Sequence, residues 1–266
     1  MQKITNVRNL LGESPLWHPQ QQKYYWVDIL KGHIHSLSAD KTLVETIELP
    51  DKVGCIVLLA NGNLMAALAR SIVEVDLETH EVTCLCEPDL HPDEMFNDGK
   101  LDKQGRLWVA TKDINETNPT ANLYCFDGQT LACKQKDVIV GNGIDWSSEG
   151  TTMYFTDSPR QIIYQYDFDE ASGSLSRRRK FVEVSRGYPD GLCVDNQGNV
   201  WSAHWDGACI TCYSPSGEIL KVIDLPCQRP TSCCFGGEER EELFITSASV
   251  GLELNADRSD GYVFIL

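Results

Sequence analysis

Four oxygen-bearing side chains stand in short turn-like contexts: Glu13 in GESP, Asn97 in MFNDG, Asn142 in VGNGI and Asp190 in YPDGL. Two carboxylates and two carboxamides form a hard donor set. Such a set suits Ca2+, Mg2+ or Mn2+, and sometimes Zn2+; taken with the whole sequence, Ca2+ or Zn2+ is expected first, with Mg2+, Mn2+ or Fe2+ as further candidates. The spacing gives these residues a common phase. Asn97 lies eight residues before Gly105, Asn142 eight before Gly150, and Asp190 eight before Gly198. The first such turn lacks glycine, but Glu13 lies eight residues before Gln21 at the corresponding place. Turn formation alone does not require one phase in separate stretches of chain. The same phase selects Gly54 and Cys55 in a second stretch, and falls near Arg229-Pro230-Thr231 in the last.

The elements that must position these residues repeat. Six strand-like phrases recur, YYWVD (24–28), NLMAA (63–67), RLWVA (106–110), TMYFT (152–156), NVWSA (199–203) and ELFIT (242–246). Their central residues, Trp26, Met65, Trp108, Tyr154, Trp201 and Phe244, are spaced by 39 to 47 residues. Turn signals such as Ala60-Asn61-Gly62 and Asn196-Gln197-Gly198 precede most of the phrases, and Gly and Asn supply the backbone angles of tight hairpins. Alternating runs such as 71–79 and 162–170 follow, a period of two that reads as strand. Units of roughly 40–50 residues with several strands each are the signature of propeller blades. The expected fold is therefore all-β, a six-bladed β-propeller formed by residues 1–266 as one domain. The ring is expected to close between the N-terminal segment ITNVRN and the last strands around Tyr262-Val263-Phe264. Equivalent positions in different blades point at one axis, so Glu13, Asn97, Asn142 and Asp190 should converge at the central channel. His204 falls where a blade strand should meet the channel mouth and is a further candidate for substrate contact or proton transfer. Trp205 is a candidate wall of the pocket, and Trp17, Trp26, Trp108 and Trp201 are expected to pack blades.

Charge narrows the partners. With 23 Lys+Arg against 39 Asp+Glu, the formal net charge is −16, which argues against nucleic acid and anionic membrane surfaces, since both need a basic face. No apolar run approaches the roughly 18 residues of a membrane span, and the first residues lack the pattern of a secretion signal. The expected location is the cytoplasm, with the eleven cysteines reduced and serving mostly as small buried hydrophobes. The CxxC at Cys209 and Cys212 has no second ligand pair and lies in a strand-like stretch, so a zinc knuckle is not expected. GxSxG and HExxH are absent, which disfavours a serine hydrolase and a zincin. The stretch around Asp98-Gly99-Lys100 fits neither a P-loop nor an EF-hand. The basic run Arg177-Arg178-Arg179-Lys180 reads as a solvated hairpin tip.

The phrases LGESPLWHP (11–19), FNDGKLDKQGRLWVAT (96–111), GNGIDWSSEG (141–150) with FTDS (155–158), and YPDGLCVDNQGNVWSA (188–203) resemble the gluconolactonase, regucalcin and senescence-marker-protein family. CFGG (234–237) followed by LFITSA (243–248) adds a weaker match, so the resemblance spans nearly the whole chain. It implies a six-bladed propeller with a divalent metal in its channel, held by Glu13, Asn142 and Asp190. Asn97 would contact substrate or a water on the metal, and Asp190 would serve as general base. The implied activity is opening of a lactone, typically a sugar lactone, to the hydroxy acid. Hydrolysis of another ester or an organophosphate, and a non-catalytic calcium-binding role, remain as alternatives. Two departures touch the substrate shell. Met95 stands where relatives often carry Arg, and the stretch Lys112-Asp113-Ile114-Asn115 has no Glu at the place where some relatives contact sugar hydroxyls.

Overall fold

Glycines at positive φ turn the chain into the short strands that the phrases form. Gly62, Gly105, Gly150 and Gly198 have φ of 90°, 78°, 72° and 84°, in the hairpins between the first two strands of a blade. A Cβ at Gly105 would meet nothing within 4 Å, so the backbone angle, not crowding, is what calls for glycine there. The computed structural model describes residues 2–38, 40–42, 44–253 and 258–266. Among these, the strands form six four-stranded antiparallel sheets and no α-helix.

The first strands of the six sheets are Gly12–His18, Val53–Leu58, Glu94–Leu101, Gly141–Trp146, Tyr188–Val194 and Arg229–Gly236. Each contacts the first strand of the sheet before and after it, and the first contacts the sixth. The sheets are therefore blades of a closed six-bladed β-propeller, with these strands innermost. The recurring phrases occupy the second strands, from Lys23–Asp28 to Glu242–Ala248. Closure comes from the N-terminus. Gln2–Lys3 pairs with Phe264–Ile265 and completes the sixth sheet, and the Ile4 N–H donates to the Val263 carbonyl at 3.2 Å. The pairing thus begins just ahead of the expected segment.

Because each blade is covered on both faces, its strands bury side chains in both directions, and one apolar cluster fills each interface between blades. Tyr25, Val27 and Ile34 meet Ile56 and Ala66 between blades one and two. At the closing interface Tyr24 stacks on Phe244, ring centroids 4.5 Å apart and 8° from parallel. Trp17, Trp26 and Trp108 are buried as expected, and Trp201 packs edge-on against Phe235. Trp108 is fully buried and its indole N–H donates to Asp102 Oδ2 at 2.9 Å. The same carboxylate holds Arg106 at 2.6 Å. Trp108→Ala should cost about 3–5 kcal/mol, read as a shift in the denaturation midpoint. A cost below about 1 kcal/mol would show that this interface does not carry the fold.

The basic run does not form a hairpin tip. Arg177-Arg178-Arg179-Lys180 lies inside the outer strand Ser174–Glu183 of blade four. Neighbouring side chains supply partners that the run alone does not reveal: Arg177 and Arg179 pair with Asp167, Lys180 with Glu183, and Arg178 lies over the Tyr164 ring. No helix among the described residues is long and apolar enough to cross a membrane.

Candidate functional site

The inner strands share one irregularity. In all six blades the register against the second strand shifts, between Glu13/Leu16, Val53/Cys55, Phe96/Gly99, Asn142/Ile144, Pro189/Leu192 and Pro230/Ser232. A β-bulge re-aims the side chain it carries, and these bulges hold the residues that the phase singles out. Small residues let the strands approach around the axis. A Cβ on Gly143 would lie 2.6 Å from the Asp190 carbonyl oxygen, and one on Gly191 would lie 2.1 Å from Ser232 Oγ.

Glu13, Asn97, Asn142 and Asp190 line a single cavity of about 310 Å³. Leu11, Ile29, Val140, Pro159, Tyr188 and Trp205 add its less polar walls. The four polar residues come from blades one, three, four and five, and all are buried. A hydrogen-bonded chain fixes the amides. Asn97 Nδ2 donates to the Gly141 carbonyl and to Asn142 Oδ1, both at 2.9 Å. Asn142 Nδ2 donates to Ser158 Oγ at 2.8 Å, and Ser158 donates to the Pro189 carbonyl at 2.6 Å. Asn142 Oδ1 retains a second lone pair for another partner.

The carboxylates are short of positive charge. Glu13 Oε2 accepts the Ser14 N–H at 2.7 Å, and neither Glu13 nor Asp190 forms an ion pair among the described residues. Burial raises the Glu13 pKa well above the usual range, with Asp190 and Asp98 adding repulsion. Burial likewise raises Asp190, with Asp98 and Glu116 adding to it and Lys112 opposing. Asp98 is pushed up to about 6 by its own burial. No group of three or more His, Cys, Asp and Glu side chains with metal-holding geometry occurs among the described residues. Glu13, Asp190 and the amide oxygen of Asn142 are the oxygen groups that could hold a cation in this cavity. Two buried carboxylates without a cationic partner fit a divalent oxygen-seeking cation.

His204 does not join the other four. Its ring lies in a separate cavity of about 330 Å³ with Tyr213 and Val184. Nδ1 lies 2.9 Å from the Arg186 carbonyl and Nε2 3.4 Å from the Tyr213 hydroxyl. Burial lowers its pKa to about 4, so it is neutral at pH 7. The reason is strand alternation: the next residue, Trp205, takes the channel-cavity side and His204 turns to the other face.

The apparent absence of an acid near Asn115 is also corrected. Glu116 lines the cavity with Lys112, and their side chains pair at 2.6 Å. Buried Asp113 shapes this loop, since its carboxylate accepts the N–H groups of Thr117 and Asn118 and the Thr120 hydroxyl. Glu116 adopts φ of 57° and donates its N–H to the Asp113 carbonyl. That turn swings its side chain back toward Lys112, one residue beyond the stretch Lys112-Asp113-Ile114-Asn115 that has no Glu. The Lys-x-x-x-Glu spacing was the available signal, but spacing in a loop does not specify a direction.

The fold and the cavity together define a six-bladed propeller with an acidic, carboxamide-lined pocket at one end of its channel. Residues 11–249 match the SMP-30/gluconolactonase/LRE-like region, and the chain belongs to that family. It is 35% identical over 244 residues to a 6-deoxy-6-sulfogluconolactonase of Pseudomonas putida, covering 90% of this chain and 84% of that one. It is 32% identical over 259 residues to regucalcin of Danio rerio, covering 95% and 88%. Its fold matches the crystal structure of the calcium-binding protein regucalcin from Agrobacterium tumefaciens with a TM-score of 0.94 and 24% identity, covering 99% of this chain and 92% of that one.

Proposed function

We propose that this chain hydrolyses a neutral sugar lactone to its hydroxy acid, with one divalent cation held by Glu13, Asn142 and Asp190. The observation that carries the reading is the convergence of Glu13, Asn97, Asn142 and Asp190 on one cavity. The family's lactonases and the calcium-binding regucalcin structure support it. A cation held by Glu13, Asn142 and Asp190 would supply Lewis-acid polarisation of the lactone carbonyl. The chain's own groups do the rest. Asp190 takes the proton of the attacking water as general base. Asn97, whose Nδ2 is committed to Gly141 and Asn142, presents its free Oδ1 to substrate or water. Water adds to the carbonyl carbon, the ring C–O bond breaks, and the departing oxygen takes up a proton. Tyr188, Trp205 and Ile29 give the ring apolar contact and limit the water around it.

Lys112 and Glu116 favour a neutral, hydroxyl-bearing ring. Lys112 is the one basic residue among the described residues lining the cavity, and Glu116 neutralises it. An anionic substituent, such as the sulfonate in the name of the Pseudomonas relative, would meet a carboxylate beside Lys112, the one basic side chain among the described residues of the cavity. Glu116→Gln should lower kcat/KM for polyhydroxylated neutral lactones about 10-fold or more, while improving the relative use of lactones that carry an anionic group. Equal change for both substrate types would remove this pair from recognition.

The reading is tested by following acid release from a panel of lactones and phosphotriesters, with and without chelator. Metal-requiring release from lactones supports it. Turnover of phosphotriesters alone would assign the site to another ester class, and tight cation binding without turnover would make the chain a calcium-binding regulatory propeller.

A further inference from the structure

The other end of the channel holds a second, larger cavity of about 680 Å³, walled by residues that follow the bulges in the inner strands. Side chains there tie neighbouring blades. Lys100 of blade three pairs with Asp145 of blade four, and Asp145 Oδ2 accepts the Val194 N–H of blade five at 2.9 Å. The next step around the ring, from blade five to blade six, is made by two thiols. Cys193 and Cys233 lie with their sulfurs 3.6 Å apart, and Cys233 also approaches the Trp201 carbonyl. Both line the cavity and both are free. The backbones they stand on are close, since no Cβ fits between Gly191 and Ser232.

We propose that Cys193 and Cys233 are an oxidation site, a thiol pair that closes to a disulfide joining blades five and six when a small-molecule disulfide enters the channel. Three observations converge on it: sulfurs in contact across an interface, backbones held in close approach, and a cavity lined by both thiols. Disulfides need Cα atoms within about 7 Å and side chains directed at each other, and these two inner strands run side by side. In the first step one Cys thiol loses its proton and its sulfur attacks the small disulfide. A mixed disulfide forms and one small thiolate leaves. The second Cys, also deprotonated, attacks the protein sulfur of that mixed disulfide and expels the second small thiolate. Two S–H bonds are lost and one S–S bond is formed, while the small disulfide is reduced to two thiols by the two electrons and two protons. The neighbouring Cys234 lines the same cavity and packs against Trp17, Tyr24 and Phe244 in the interface of blades six and one, but the sulfur in contact with Cys193 is that of Cys233.

The test uses the full chain with Cys84→Ser, Cys86→Ser and Cys133→Ser, which removes the two exposed thiols and one that is partly exposed. After incubation with oxidised glutathione, intact mass should fall by about 2 Da. A non-reducing peptide map should join the peptides of Cys193 and Cys233. Tm should rise by about 5–10 °C, because the bond closes a long loop of the unfolded chain. Dithiothreitol should reverse all three changes. A linkage of Cys233 to Cys234, stable glutathione adducts on Cys193 or Cys233, or full alkylation of both thiols after oxidation and unfolding would each overturn the proposal. Cys193→Ser and Cys233→Ser should each abolish the mass loss. The peptide map on the chain that retains both thiols decides the matter even if those variants fold poorly.

Discussion

Asp190→Asn is expected to keep its cation and lose lactone turnover by about 10²-fold or more. A carboxamide preserves the size of the side chain and one oxygen donor but has no site to accept a proton at neutral pH. General-base catalysis usually contributes about 10²–10⁴-fold. Asp190 is placed for this role by its bulge in the inner strand of blade five, which aims it into the cavity beside Asn142 and Asn97. Gly191 beside it leaves no room for a Cβ against Ser232, so the strand holds the carboxylate in one place. Metal content and acid release measured on the same preparation separate two losses that activity alone would merge. A variant that holds metal and retains near-normal turnover would move the base to another group, Glu116 being the one acid among the described residues lining the cavity outside the proposed ligands. A variant that loses both metal and turnover would leave Asp190 a ligand without an assigned role in proton transfer.

The fold was legible because a propeller writes its period into the sequence. Trp26, Trp108, Trp201 and their counterparts sit on second strands, where burial on both faces demands apolar residues at regular intervals. The phase of Glu13, Asn97, Asn142 and Asp190 was legible for a related reason, since each stands at the same bulge of a repeated unit. What was not legible depends on direction. His204 lies on the second strand of blade five, next to the cavity-lining Trp205, yet one residue of alternation turns it away from the cavity, and the bulge at Pro189/Leu192 obscures the count that would have shown this. Glu116 is brought in by a turn that Asp113 ties together, a contact set that no periodic pattern encodes. The four-residue basic run reads as a loop until Asp167 and Tyr164, on the adjacent strand, are seen to partner it.

Removal of the cation should give the largest change in stability, and the change should depend on pH in a defined direction. A carboxyl whose folded pKa is raised contributes stability below its unfolded pKa, and that contribution is lost as pH rises through the folded value. Glu13, Asp190 and Asp98 are all raised by burial, Asp98 to about 6. The cation-free chain should therefore weaken as pH climbs from about 4 through about 6 and on through the raised values of Glu13 and Asp190. A bound divalent cation favours the ionised carboxylates, so the stability it adds should be greatest above those values and shrink as they protonate. At a cation concentration about 1,000 times Kd the gain is about 4 kcal/mol, or about 10 °C in Tm for a chain of this size. The measurement is Tm with saturating cation and with chelator, at pH 8 and at pH 5. Glu13→Gln supplies the internal control. It removes one buried carboxylate, so the cation-free variant should melt above the cation-free wild type at pH 8, while the cation increment falls sharply. If Glu13→Gln keeps the full increment, or if the wild-type increment is larger at pH 5 than at pH 8, the cation does not sit on Glu13 and Asp190.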